Sequence, residues 1–290
     1  MARYLLRLAY EGTEFSGWQA QHKGGIENES VRTVQSLVQR AVREATREPA
    51  TVVGASRTDA GVHAAGQVAA FTRSDDPDAP GAPEESLLPA INSRLPEDVL
   101  ALECRRVRPC FEPISDAAAK GYRYTIRDGA SKPLWDRRFV HHVQMRPGGA
   151  LDVEAMRAAA LHLVGEHDFG AFAKAGHGRK STVRTVHACN VLRHEDGRIT
   201  IDISGNGFLH NMVRIVAGTL VEVGKGRMTP GRIDDALRTG DRTLAGPTLG
   251  PTGLRLEWIE YPPDVLDPTL PARERVPFTP SSADDPDDQE

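Results

Sequence analysis

Apolar and polar positions alternate with a period of two from Arg3 to Tyr10, the pattern of a half-buried strand. Val31, Val34, Leu37, Val38, Ala41, Val42 and Ala45 then recur at helical spacing. Residues 51–53 and 67–71 read as strands, 87–92 as a short helix and 99–107 as a strand. Residues 1–110 therefore spell β-α-β-β-α-β, the split ferredoxin-like order. Further on, strands are expected at 122–126 and 139–143, and a helix on Val153, Met156, Ala160 and Leu163. A hairpin joins 183–192 to 199–204 through Glu195-Asp196-Gly197. A strong helix at 208–223, a shorter one at 233–237 and a strand at 254–261 complete the series. The second half repeats the element order of the first without a visible sequence repeat. An α+β fold with largely antiparallel sheets follows. Its expected division is a half at 1–110, a half at 111–261 and a tail at 262–290.

The net charge of −4 taken alone disfavours a nucleic-acid partner, but the charges are unevenly spread. Residues 261–290 hold eight acids and two bases, which leaves +2 on the other 260. A second acidic, Pro-rich stretch, from Ser74 to Glu85, holds five acids and no base. Without these two segments the body is basic, which permits a phosphate-binding face. The composition of the tail predicts disorder over roughly its last ten residues. Three cysteines in no CxxC pairing argue against a disulfide framework or a zinc knuckle and fit a reducing compartment. No apolar run reaches the roughly 20 residues of a membrane helix. The start, Met1-Ala2-Arg3-Tyr4-Leu5-Leu6-Arg7, lacks the apolar region and cleavage site of a secretory signal.

The run Gly54-Ala55-Ser56-Arg57-Thr58-Asp59-Ala60-Gly61-Val62-His63 sets one carboxylate, Asp59, on a turn between two apolar runs. Asp-x-Gly is common in ordinary turns, because Asp bonds the backbone and Gly accepts positive φ. The same geometry holds a carboxylate rigidly at the mouth of a cleft. On the expected helix at 208–223, Arg214 points away from the apolar stripe, and its neighbours on that face are His210, Asn211, Ala217 and Gly218. A lone arginine among small residues reads either as a solvated or core-bridging side chain or as one delivered to a carboxylate or phosphate. Tyr122 and Tyr124 share one face of a strand. They read as core aromatics or as a platform for a base. Lys174, His177, Arg179, Lys180 and Arg184 form a basic stretch, either a solvated loop or a phosphate-tracking one. There is no phosphate-binding GxxxxGK[ST] loop, no GxGxxG after a strand, no HExxH and no GxSxG.

Several segments, in order, carry a family resemblance. They are Tyr10-Glu11-Gly12-Thr13-Glu14-Phe15-Ser16-Gly17-Trp18-Gln19, Thr33-Val34-Gln35, Arg57-Thr58-Asp59-Ala60-Gly61-Val62-His63-Ala64, Tyr122-Arg123-Tyr124, His167-Asp168-Phe169 and Met212-Val213-Arg214. Together they resemble the tRNA pseudouridine synthase A (TruA) family over residues 4–261. The Arg-Thr-Asp-Ala-Gly-Val-His block is the most specific of them. One departure is Phe111-Glu112-Pro113-Ile114, where the family has Phe-His-Ala-Arg.

The resemblance implies two ferredoxin-like (RRM-like) halves with an active-site cleft between them. It implies isomerisation of uridine to pseudouridine at positions 38, 39 and 40 of the tRNA anticodon stem-loop. It further implies a cytoplasmic homodimer that needs no cofactor, no metal and no membrane. Carried over, Asp59 is the catalytic carboxylate, Tyr122 stacks on the target base, Arg214 pairs with Asp59, and Arg57 contacts RNA beside the extruded nucleotide. The reaction breaks the N1–C1′ bond, turns the uracil and rejoins it through C5, so no redox partner enters. One ionised carboxylate serves, attacking C1′ or taking a proton from the sugar, and a nearby arginine favours the ionised form. Two other classes are weighed: an inert RNA-binding protein on the same fold, and a carboxylate-pair hydrolase with Glu112 or Asp168 as second acid. The joint presence of Asp59, Tyr122 and Arg214 disfavours the first, and no spacing favours the second.

Overall fold

The computed structural model describes residues 1–23, 26–28, 30–76, 78–174 and 181–272. In chain order the elements are β1 (Ala2–Tyr10), β2 (His22–Lys23), β3 (Ile26–Glu27), α1 (Val34–Thr46), β4 (Val53–Gly54), β5 (His63–Arg73), α2 (Leu87–Asn92), β6 (Val99–Val107), β7 (Ala119–Gly129), β8 (His141–Gln144), α3 (Val153–Ala160), β9 (Gly165–Asp168), β10 (Val183–Arg193), β11 (Arg198–Gly205), α4 (Met212–Gly224), α5 (Gly231–Thr239), β12 (Leu254–Glu260) and α6 (Pro263–Leu266). The result is a mixed α/β protein with mostly antiparallel sheets, of the α+β class expected. The chain divides into two compact units, Met1–Ala118 with Leu256–Glu290, and Ala119–Arg255.

In the first unit β1 lies between β6 and β5, antiparallel to both. β4 adds two residues to β5, pairing Val53 with Ala70 and Gly54 with Ala69. α1 begins at Thr33, whose hydroxyl accepts the Ser36 N–H and satisfies one of the orphan donors of the first turn. It ends where Arg47 turns left-handed at φ 56°. Its Val34, Val38, Ala41 and Val42 are essentially fully buried. Each of the three valines stabilises the fold by about 1.5–3 kcal/mol. Phe111 anchors a second cluster with Leu5, Ala55, Val68 and Tyr261. The Tyr261 hydroxyl donates to the Pro113 carbonyl at 2.7 Å, so Phe111 and Pro113 of the departing segment are core structure in this chain, while Ile114 is exposed. The acidic stretch is stitched down at both ends: Asp75 meets the N-terminal ammonium at 2.9 Å, and Glu84 accepts the Tyr4 hydroxyl at 2.8 Å. Burial, reinforced by Glu84, pushes the Tyr4 phenol up to about 12.

In the second unit β11 lies between β7 and β10, antiparallel to both, and β9 pairs with β10. The expected β10–β11 hairpin forms with Arg193 opposite Ile199. β8 pairs with β7 in parallel, Ile126 opposite His141. α4 starts four residues later than the apolar stripe predicts. Phe208 to Asn211 stay outside it, and Asn211 stands at φ 64° just before the first turn. Asn tolerates that left-handed conformation, which a continuing helix forbids. Nor does α4 have one wet face. Every residue from Met212 to Gly224 is buried except Arg214 and Glu222, which are half-buried. His177, Arg179 and Lys180 of the basic stretch, and the tail from Arg273 onward, lie outside the described residues.

Candidate active site

Asp59 sits in the connection between β4 and β5, at the first position of a four-residue turn. The Val62 N–H closes the turn on the Asp59 carbonyl at 3.1 Å. Gly61, third in the turn, adopts φ +78°, which a type II turn demands of that position. The expected tight turn is thus the far end of a longer loop, residues 55–62.

Two devices hold that loop. The first is Gln67, buried on β5. Its amide accepts the Ser56 N–H at 3.2 Å and donates to the Ser56 carbonyl at 2.6 Å. A side chain thereby continues the ladder that Ala55 N–H to Val68 carbonyl has just carried at 2.8 Å. Gln67 also reaches the Tyr10 hydroxyl at 3.4 Å, and that hydroxyl shares a buried 2.7 Å hydrogen bond with Thr58. The second device is the loop 11–19. Trp18 N–H donates to the Thr58 carbonyl at 2.9 Å, and Gly61 N–H donates to the Phe15 carbonyl at 3.2 Å. Gly17 lies at φ +98°, and a Cβ there would stand 2.8 Å from the Thr58 carbonyl oxygen, so only glycine lets the two loops close. Arg32 fastens the outer loop, its guanidinium 4.0 Å over the Phe15 ring and bidentate on Asp98 at 2.8 and 2.9 Å. Asp59 itself is half-buried and Arg57 exposed.

Tyr122 and Tyr124 share a face of β7, as alternation requires, and both are buried. Tyr122 meets Phe208 edge-on, with ring centroids 5.2 Å apart. Tyr124 is fully buried and donates its hydroxyl to the Gly250 carbonyl at 2.7 Å. Burial drives its phenol far above the usual range, and the positive charge of Arg214 opposes that shift only partly. Arg214 donates through Nε to the Leu249 carbonyl at 2.7 Å and through Nη1 to Asn211 Oδ1 at 2.8 Å. What packs against its face of α4 is thus the segment 246–250. A Cβ on Gly218 would fall on the Pro247 carbonyl oxygen, so this close approach depends on a bare glycine.

The structure therefore places Arg57 and Asp59 on one loop of the first unit, and Tyr122 and Arg214 on β7 and α4 of the second. The clasp around Asp59 could be read from sequence only as two turn-rich loops. The signal for their contact was Gly17, and Gln67 carried none. The second carboxylates weighed above have other work. Asp168 accepts the Thr182 hydroxyl at 2.5 Å and the Gly170 N–H at 2.9 Å, and Glu112 lies 3.7 Å from Arg3. His162 is paired with Asp234 at 2.7 Å, and Cys104 and Cys189 are free thiols. Among the described residues no cluster of His, Cys, Asp or Glu could hold a metal ion, and no helix is long and apolar enough to cross a membrane.

The sequence model of a family described as tRNA pseudouridine synthase matches residues 8–108 and 159–262. A protein of Clostridium tetani named tRNA pseudouridine synthase A 2 is 39% identical over 265 residues, covering 90% of this chain and 100% of the relative. The tRNA pseudouridine synthase A of Geotalea uraniireducens is 38% identical over 261 residues, again 90% of this chain and 100% of the relative. That of Shouchella clausii is 41% identical over 264 residues, 90% of this chain and 94% of the relative. The two matched stretches contain Asp59 and Arg214 respectively, while Tyr122 falls between them.

Proposed function

The chain belongs to the tRNA pseudouridine synthase family, and from that premise we propose that it isomerises uridine to pseudouridine at positions 38, 39 and 40 of the tRNA anticodon stem-loop. The N1–C1′ bond breaks, the uracil turns, and a C5–C1′ bond forms. C5 gives up a proton and N1 gains one, so the reaction balances without a cofactor. Asp59 is the catalytic carboxylate, as nucleophile at C1′ or as base toward the sugar, and either role needs it ionised. Arg214 is its counter-ion. Tyr122 stacks on the extruded uracil, and Arg57 contacts the RNA beside it. Extrusion costs a few kcal/mol of lost stacking, which an aromatic contact worth about 1–3 kcal/mol offsets.

We read the chain as two ferredoxin-like halves, 1–110 carrying Asp59 and 111–261 carrying Tyr122 and Arg214. The order β6-β1-β5 with β4 on β5, and β11 between β7 and β10, supports that reading. The enzyme works in the cytoplasm as a homodimer. The observation that carries the function is the family match over stretches of both units, one bearing Asp59 on its clasped turn and the other Arg214.

The test is incubation of the purified protein with unmodified tRNA transcripts, followed by pseudouridine mapping at nucleotide resolution. Modification confined to 38, 39 and 40 is expected. Modification elsewhere in tRNA overturns the positions alone, and none at all overturns the activity. Light scattering on the eluting protein tests the dimer.

A further inference from the structure

Tyr124 has no part in the chemistry above, yet it is the most deeply buried polar aromatic near Arg214. Its hydroxyl has one acceptor, the Gly250 carbonyl at 2.7 Å. Gly250 ends a short strap, residues 246–250, that runs along α4. At its start the Gly246 N–H donates to the Thr219 hydroxyl at 2.8 Å, and Arg242 donates to the Gly246 carbonyl at 2.8 Å. Near its end Leu249 and Arg214 exchange two bonds. The Leu249 N–H donates to the Arg214 carbonyl at 3.3 Å, and Arg214 Nε donates to the Leu249 carbonyl at 2.7 Å. Asn211 Oδ1 takes Nη1 at 2.8 Å, and the left-handed backbone of Asn211 aims it there. Two acceptors on two edges fix the plane of a guanidinium. One of them, the Leu249 carbonyl, is only as steady as the peptide that follows it, and Tyr124 holds that peptide.

We propose that Tyr124, through the Gly250 and Leu249 peptide, and Asn211, directly, are positioning residues that set the direction of the Arg214 guanidinium. The inference rests on Arg214 being the counter-ion of the catalytic carboxylate. A carboxylate–guanidinium pair is directional, so a tilt of the fork weakens it while the charge stays. Reaction geometry amplifies such a tilt, because small misplacements cost rate more than they cost binding. Tyr124 suits the task because it donates at every working pH: its buried phenol does not ionise.

The experiment is a double-mutant cycle in single-turnover pseudouridine formation on full-length tRNA, with enzyme in excess. Tyr124→Phe keeps the ring and removes only the hydroxyl. It is expected to lower the rate about tenfold through the misdirected guanidinium, with tRNA affinity close to wild type and the melting temperature lower by only a few degrees for the lost hydrogen bond. Combined with Arg214→Gln it should add no further loss, because its effect runs through the guanidinium. Asn211→Gly, which keeps the left-handed backbone, should behave alike, and it carries the test if Tyr124→Phe fails to fold. Losses that multiply with Arg214→Gln make these residues merely structural and overturn the proposal. So does a full rate in Tyr124→Phe. A full rate in Arg214→Gln alone overturns the reading of Arg214 itself, an outcome visible before the cycle is closed.

Discussion

The loop that carries Asp59 is held mainly by its main chain, with the Thr58 hydroxyl on Tyr10 as an added point, whereas Arg214 is held by its side chain. Around Asp59 the fixed points are the Thr58 carbonyl, the Gly61 N–H and both backbone polar groups of Ser56. The strand, the neighbouring loop and Gln67 lock the backbone, and the carboxylate projects from it on the shortest acidic stem available. Arg214 projects from a helix that is buried nearly all round. The Leu249 carbonyl and Asn211 hold the head of its long stem. A short reactive group is aimed by fixing the turn beneath it, and a long one must be caught at its head.

That contrast is open to attack, beginning with its chemical core. Asp59→Asn should lower pseudouridine formation by about 10³-fold or more while tRNA binding and melting stay near wild type. A rate near wild type would leave the clasped turn with no chemical purpose. Next in size, Gly218→Ala should lift the strap from α4 and cost about 3 kcal/mol in denaturant unfolding, since the new methyl meets a carbonyl rather than a yielding side chain. An undisturbed unfolding midpoint would show that the strap gives way easily and cannot steer an arginine.

Gln67→Leu probes the other half of the comparison. It strands the polar groups of Ser56 and should cost about 2 kcal/mol. The turnover rate should fall as the base of the turn loosens, with the Tyr124–Arg214 coupling unaltered. If that coupling also changes, the two plans are not separable.

The smallest effect serves as a control. Asp128 accepts Arg193 in bidentate fashion at 2.9 and 2.8 Å, and accepts the Leu151 N–H at 2.7 Å. Burial pushes its carboxyl up, but Arg193 and the Leu151 N–H outweigh that and hold it below the usual range. A depressed carboxyl stabilises the fold above its unfolded value, about 3.9, and loses that contribution as pH falls through the folded one. The stability gap between wild type and Asp128→Asn should therefore be flat above about pH 5 and shrink below about pH 4. Its size should be about 1 kcal/mol. Turnover at neutral pH should not change, which separates a firmly held ion pair from one aimed at chemistry.

The elements legible in sequence were those set by local rules. Alternation and a Glu195-Asp196-Gly197 turn gave the β10–β11 hairpin, and the limits of α2 and β6 coincide with the apolar runs that predicted them. The start of α4 was misread because Phe208 and Leu209 fall in phase with the apolar stripe. A single left-handed residue, Asn211, cancels that phase without changing the composition. β9 was missed because Gly165-Glu166-His167-Asp168 has no apolar alternation and gains its strand form from pairing with β10. At the site, the turn of Asp59 was legible because its partners are glycines and an aspartate close in sequence. The surroundings of Arg214 were not, since Leu249 is 35 residues away and contributes only a carbonyl, which every residue has.

Gly218 carries an evolutionary consequence. A side chain there and the present path of residues 246–249 exclude one another. Sequence drift at 218 is therefore blocked unless the strap is rebuilt in the same step, by a change of length or of the Gly246-Pro247 pair. Aligned relatives should show the two places changing together or not at all, a covariation imposed by steric exclusion between a helix and a loop.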